Sequence, residues 1–145
     1  MSELGRRRHH ARERALELFY ESAIKERPVT VILNELNTRP DEYTVALLTS
    51  AAAHQVEADE LISEFSIDWP LDRIALVDRL IMTLAVGELL LEDAPPLAVV
   101  LNESVELAKT FSTDGSASFV NGVLSAIAPR ALEKKGGVPD AGDGS

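Results

Sequence analysis

The sequence predicts an all-helical fold, and three observations carry that prediction. Apolar residues recur at three- and four-residue steps along most of the chain, prolines and glycines divide this pattern into helix-sized lengths, and the period-two alternation of half-buried strands is weak. A chain of 145 residues is the size of one domain, able to bury roughly two thirds of the surface that its unfolded form exposes. Residues 1–132 are expected to form a single helical domain with a basic arm at 1–12, and 133–145 a disordered tail.

Six helices follow in order. The first is predicted from about Arg8 to Glu26, with Ala11, Ala15, Leu18, Phe19 and Ala23 on one face and Glu13, Glu17 and Glu21 on another. Arg8 and Arg12 are four apart and flank the apolar arc, so they are expected to project together as a two-pronged basic edge. Pro28 opens a short second helix, Val29 to Leu36, and Asn37 to Asp41 form a turn in which Thr38 is a capping candidate.

The third helix reads from about Asp41 to Phe65, with an alanine-rich middle that suggests a close neighbour and with His54 at the surface or the core edge. A break follows at Ile67-Asp68-Trp69-Pro70, where the lone Trp69 is expected to plug the core. From Leu71 to about Leu91 the fourth helix is apolar on more than one side, which makes it central; Asp72, Arg73, Asp78 and Arg79 are expected to pair along its polar edge. Pro95-Pro96 ends it, and a fifth helix runs from Leu97 to Phe111. After the turn Ser112 to Ser116, a sixth spans about Ala117 to Leu132 and buries Val120, Val123, Leu124 and Ile127. Gly122 interrupts this helix at a cost of about 1 kcal/mol relative to Ala, which implies close packing or close approach of a ligand.

Charge is segregated along the chain. The formal net charge is −10, yet five of the 14 Lys and Arg residues lie between Arg6 and Arg14. A polyanion would be repelled by most of this protein and attracted to one end, which fits a small, oriented RNA or DNA contact; a solvated basic tail fits the charge equally well. The composition excludes several classes. There are no cysteines, hence no disulfides, thiolate metal sites or cysteine nucleophiles, and no apolar run approaches the roughly 20 residues of a membrane span. The basic start lacks the apolar segment of a secretory signal, so a cytoplasmic location is expected. The adjacent His9 and His10 would point about 100° apart on a helix, a poor ligand pair with His54, and no metal or cofactor is expected.

The run Pro96-Leu-Ala-Val-Val-Leu-Asn-Glu-Ser-Val-Glu-Leu-Ala-Lys-Thr-Phe111, followed by Ser118-Phe-Val-Asn-Gly-Val-Leu124, resembles the paired signature of the NusB family of transcription antitermination factors. Arg6-Arg7-Arg8 with Ala11 to Tyr20 resembles that family's arginine-rich first helix, and Val77 to Ile81 with Val86 to Leu89 resembles its fourth-helix region, so the likeness covers about residues 5–130. It implies six or seven helices in two three-helix subdomains and a non-catalytic function. That function is binding of single-stranded boxA RNA in nascent ribosomal RNA transcripts together with NusE, a small-subunit ribosomal protein, within an antitermination complex on RNA polymerase.

Carried over residue by residue, the resemblance gives Arg6, Arg7, Arg8 and Arg12 to the RNA backbone, and Tyr20 and Phe119 to base stacking. Either ring could equally be core, and Asn121 could bond a base or cap the preceding turn. Asp78 and Glu88 are the choices for an acidic face toward the basic NusE. Ser118 stands where related sequences often have a basic residue, which shifts the expected RNA contact toward the arm. The resemblance leaves open a homodimer that covers the arginine-rich face. A non-catalytic helical adaptor that binds only proteins is the competing reading.

Overall fold

The structure is a computed structural model that describes residues 2–66 and 69–137. Its described residues form seven α-helices, one short 3-10 turn and no strand. Helix α1 spans Glu3–Lys25 and starts five residues before the expected position, because Ser2 caps it by accepting a hydrogen bond from the Gly5 amide at 2.9 Å. Residues 3–12 of the basic arm are therefore nearly three turns of a helix. At the other end Glu26 adopts a left-handed φ of 53°, its amide bonds back to the Ser22 and Ala23 carbonyls, and Pro28 starts α2 (Val29–Asn34).

The long third helix of the sequence reading is two helices, α3 (Glu42–Ala53) and α4 (Gln55–Phe65). His54 makes the break: its ring nitrogen Nδ1 and its amide both donate to the Ser50 carbonyl, at 2.8 and 3.0 Å, and its own carbonyl accepts the Ala58 amide that begins the next helix. The alanine-rich segment does face a close neighbour. A Cβ built on Gly87 would lie 2.7 Å from the Ala51 backbone nitrogen, so the two helices cross where only glycine fits, and the Ser50 hydroxyl donates to the Gly87 carbonyl at 2.7 Å.

Pro70 leads into the 3-10 turn Leu71–Arg73, and α5 (Leu76–Leu89) begins after an extended Ile74. Ile67 and Asp68 lie outside the described residues. Trp69 does not plug the core: it is 51% exposed, and Ile74 is the side chain that this connection buries. The polar edge of α5 also differs from the expected intrahelical pairing, since Arg79 forks onto Asp59 of α4 at 2.8 and 3.1 Å.

Every residue from Leu80 to Leu89 is buried, as a central helix requires. Helices α1, α2 and α3 pack on one another, as do α5, α6 (Leu97–Phe111) and α7 (Ser116–Gly137), while α4 rests on α5 and α7. Helix α5 also touches α1 and α3, which joins the two three-helix groups through a single core. Residues 133–137, expected to begin the tail, continue α7 because Lys135 donates to the carbonyls of Leu89 and Leu91 at 3.0 and 2.5 Å and so caps the end of α5. The rest of the expected tail, 138–145, lies outside the described residues. Among the described residues no helix is long and apolar enough to cross a membrane.

Candidate nucleic-acid interface

Successive residues of a helix point about 100° apart, so a run of arginines on α1 cannot all face one way. Arg6 and Arg7 are exposed; Arg6 contacts Glu3 at 3.3 Å, and Arg7 reaches Asp41, the N-cap of α3, at 3.1 Å. Arg8 lies with its guanidinium 4.7 Å from the centre of the Tyr43 ring, a cation–π contact, and among the described residues it pairs with no carboxylate. Arg14 is exposed and meets Glu17 at 3.2 Å.

Arg12 turns the other way. Only 5% of it is exposed, and its Nε and Nη2 grip Glu88 of α5 as a fork at 2.9 and 2.7 Å while Nη1 donates to Glu103 of α6 at 3.2 Å. The Tyr43 hydroxyl donates to the same Glu88 carboxylate at 2.5 Å, and His9 contacts Glu103 at 3.0 Å. The two-pronged edge of Arg8 and Arg12 therefore does not form. Arg12 is four residues from Arg8, but the partners that draw it inward come from other helices, and a buried guanidinium needs carboxylates to offset the cost of losing its water.

The electrostatics of this cluster are consistent with that placement. Burial opposes the charge of Arg12, but the hydrogen bonds and negative charge of Glu88 outweigh it, with Glu103 adding to them, and its pKa rises. Burial, then the hydrogen bond and charge of Glu88, push the Tyr43 phenol well above its ordinary range, so it stays protonated and keeps donating. Thr44 completes the joint by donating to the Ala11 carbonyl at 3.1 Å. Three helices thus hold α1 at one point and fix the directions of the arginines on its outer side.

Asp78 and Glu88, expected on a partner-facing surface, are both buried, at 5% and 3% exposure. Asp78 accepts from the hydroxyls of Ser112 and Ser116 at 2.6 and 2.8 Å and so ties the start of α5 to the turn between α6 and α7. Ten residues of α5 separate the two carboxylates, about 15 Å at the helical rise. One end of α5 positions the arginine arm and the other positions the start of α7.

At that second end, Phe119 is half-buried and shares a groove with the exposed Trp69 and Arg73, while Asn121 and Gly122 are exposed. Among the described residues nothing beyond its own stretch of helix lies within 4 Å of a Cβ built on Gly122, so packing between helices does not explain that glycine. Tyr20 is 42% exposed rather than core. It lies fourteen residues beyond Arg6 on α1, about 21 Å along the axis. The sequence-derived residues therefore do not converge on one pocket; they fall in separate patches on α1 and α7. Sequence reasoning missed Tyr43, Glu103 and Arg39. Tyr43 had one legible signal, an aromatic beside the cap of α3, whereas nothing local marks Glu103.

Comparison with known proteins agrees with this architecture. The NusB family model matches residues 9–129. The chain is 42% identical over 132 residues to the transcription antitermination protein NusB of Thermobifida fusca, covering 88% of this chain and 90% of that one. It is 43% identical over 123 residues to the protein of the same name from Bacillus velezensis, covering 83% and 95%. Among solved structures, Thermotoga maritima NusB superposes with a TM-score of 0.76 at 29% identity, over 88% of this chain and 95% of that one. A structure of the antitermination factors NusB and NusE in complex with dsRNA superposes with a TM-score of 0.71 at 28% identity, over 86% and 98%. With a family match across most of its helices and relatives above 40% identity, this chain belongs to the NusB family.

Proposed function

We propose that this chain binds single-stranded boxA RNA of nascent ribosomal RNA transcripts together with NusE, and that the pair helps assemble an antitermination complex on RNA polymerase. The observation that carries the reading is the outward basic end of α1 on a protein of net charge −10, held at a fixed angle by the buried Arg12–Glu88 pair. Relatives named as transcription antitermination proteins support the reading, and a similar fold solved with NusE and dsRNA supports the pairing of RNA with NusE.

In this reading Arg6, Arg7 and Arg8 pair with backbone phosphates, and Phe119 and Asn121 offer a stacking face and an amide at the far end of α5. Tyr20 extends the α1 surface for a longer strand. Arg12, Glu88 and Asp78 act as positioning residues, and NusE docks on exposed residues of the surrounding helices rather than on those two carboxylates. The protein does no covalent chemistry.

The test is a fluorescence-anisotropy titration of boxA-like and scrambled RNA, with and without NusE, at two salt concentrations. Tighter binding of the boxA-like strand, strengthened by NusE and weakened by salt, is the expected result. Equal or absent binding of both strands with NusE present would refute the reading and favour a protein-only adaptor.

A further inference from the structure

Beside the arm, α1 and the turn between α2 and α3 enclose a cleft of about 420 Å³. Arg7, His10 and Arg14 reach it from α1, where steps of three and four residues put them on one side of the helix. Thr38 and Arg39 face them from the turn, and Asp41 closes one end. Ala11 and the buried Thr44 form the floor.

The charges in this cleft are unevenly committed. Asp41 already accepts the Tyr43 amide at 2.8 Å and Arg7 at 3.1 Å, so its negative charge is answered twice. The pair of Arg14 with Glu17 and that of His10 with Glu13 are at the surface, where such pairs contribute little and exchange readily for another anion. Arg39 is exposed and, among the described residues, pairs with no carboxylate. Arginines from two separate elements thus line one concave, threonine-edged space next to the arginine arm, in a protein of net charge −10.

We propose that this cleft is a phosphate site for the RNA backbone, in which Arg39 and Arg14 bind a phosphodiester and Arg7 shares it with the arm. The proposal rests on the RNA-binding reading above and extends the strand's path from α1 onto the α2–α3 turn. Phosphate contacts fix register without reading sequence, so the cleft adds affinity equally for all RNA and leaves discrimination to other residues.

The experiment measures anisotropy of labelled boxA-like and scrambled RNA with the full chain and NusE across a salt series, for the unaltered protein and the variants Arg39→Gln, Arg14→Gln, Arg7→Gln and, as a distant control, Lys25→Gln. Thermal melts accompany each, and the altered side chains are exposed. Arg39→Gln and Arg14→Gln are each expected to weaken both RNAs by up to about fivefold and to lower the salt slope by part of the roughly 0.7 that one neutralised phosphate contributes, with Lys25→Gln unchanged. Unaltered affinity and slope in Arg39→Gln and Arg14→Gln would overturn the cleft; if Arg7→Gln still loses affinity, the wider RNA reading survives. No RNA binding by the unaltered protein would overturn both.

Discussion

The inward and outward faces of α1 carry the same side chain for opposite purposes. Arg12 is 5% exposed and makes four hydrogen bonds to Glu88 and Glu103, whereas the side chains of Arg6 and Arg7 are 56% and 65% exposed and meet the surface carboxylates of Glu3 and Asp41. A buried ion pair and a surface pair differ in what is lost when one partner goes. Inside, the remaining charge is stranded in a low-dielectric site; outside, water replaces the partner. The first arrangement fixes a helix in place, and the second leaves cations available to a ligand.

The sharpest way to break this comparison is to remove the inner arginine. Arg12→Ala strands Glu88 and is expected to cost about 3–5 kcal/mol, read as a large fall in the urea midpoint, while Arg12→Met combined with Glu88→Met recovers much of that loss. A stability unchanged by Arg12→Ala would mean the pair holds nothing. Next in size is Tyr43→Phe, which deletes a hydrogen bond to a charged acceptor and should cost about 1.5–3 kcal/mol while keeping the ring beneath Arg8. Thermal melts report the loss, and RNA affinity should stay the same.

Asp41→Ala removes the cap of α3 and the partner of Arg7, a loss of about 1 kcal/mol. The Asp41 carboxyl is held below its ordinary value of 3.8 by the Tyr43 amide, then by Arg7. Its stabilising contribution is therefore fully present above that value and is lost as pH falls through the lowered one, so wild type and Asp41→Ala should converge in stability in strong acid. Parallel curves down to low pH would remove Asp41 from the account. Smallest of all in stability are Arg6→Gln and Arg8→Gln, expected within about 0.5 kcal/mol of wild type, with their effect confined to RNA binding.

Most of the helical frame was legible in the sequence because apolar spacing is a local signal. The central place of α5 followed from Ile74, Leu76, Leu80 and Leu84 covering more than one side, and the closeness of α3 to a neighbour followed from its alanines. Side-chain direction at polar positions was not legible. The partners of Arg12 lie 76 and 91 residues away in sequence, and no periodicity in α1 announces them. The same limit applies to Asp78, whose acceptor role depends on two serines of a distant turn, and to Trp69, which is exposed where Ile74 is buried. His54 broke a helix through its own ring bonding to the turn before it, a choice that composition does not reveal.

The most direct test of the division between the two faces is the salt dependence of RNA binding in folded variants, measured with NusE present. Removing a phosphate-binding charge should lower the slope by about 0.7, and Arg6→Gln, Arg7→Gln and Arg8→Gln are each expected to do so. The compensated Arg12→Met, Glu88→Met variant should keep the wild-type slope, because its arginine never faced the strand. A slope lowered in that variant by as much as in Arg7→Gln, with the fold intact, would contradict the account and return Arg12 to the RNA surface.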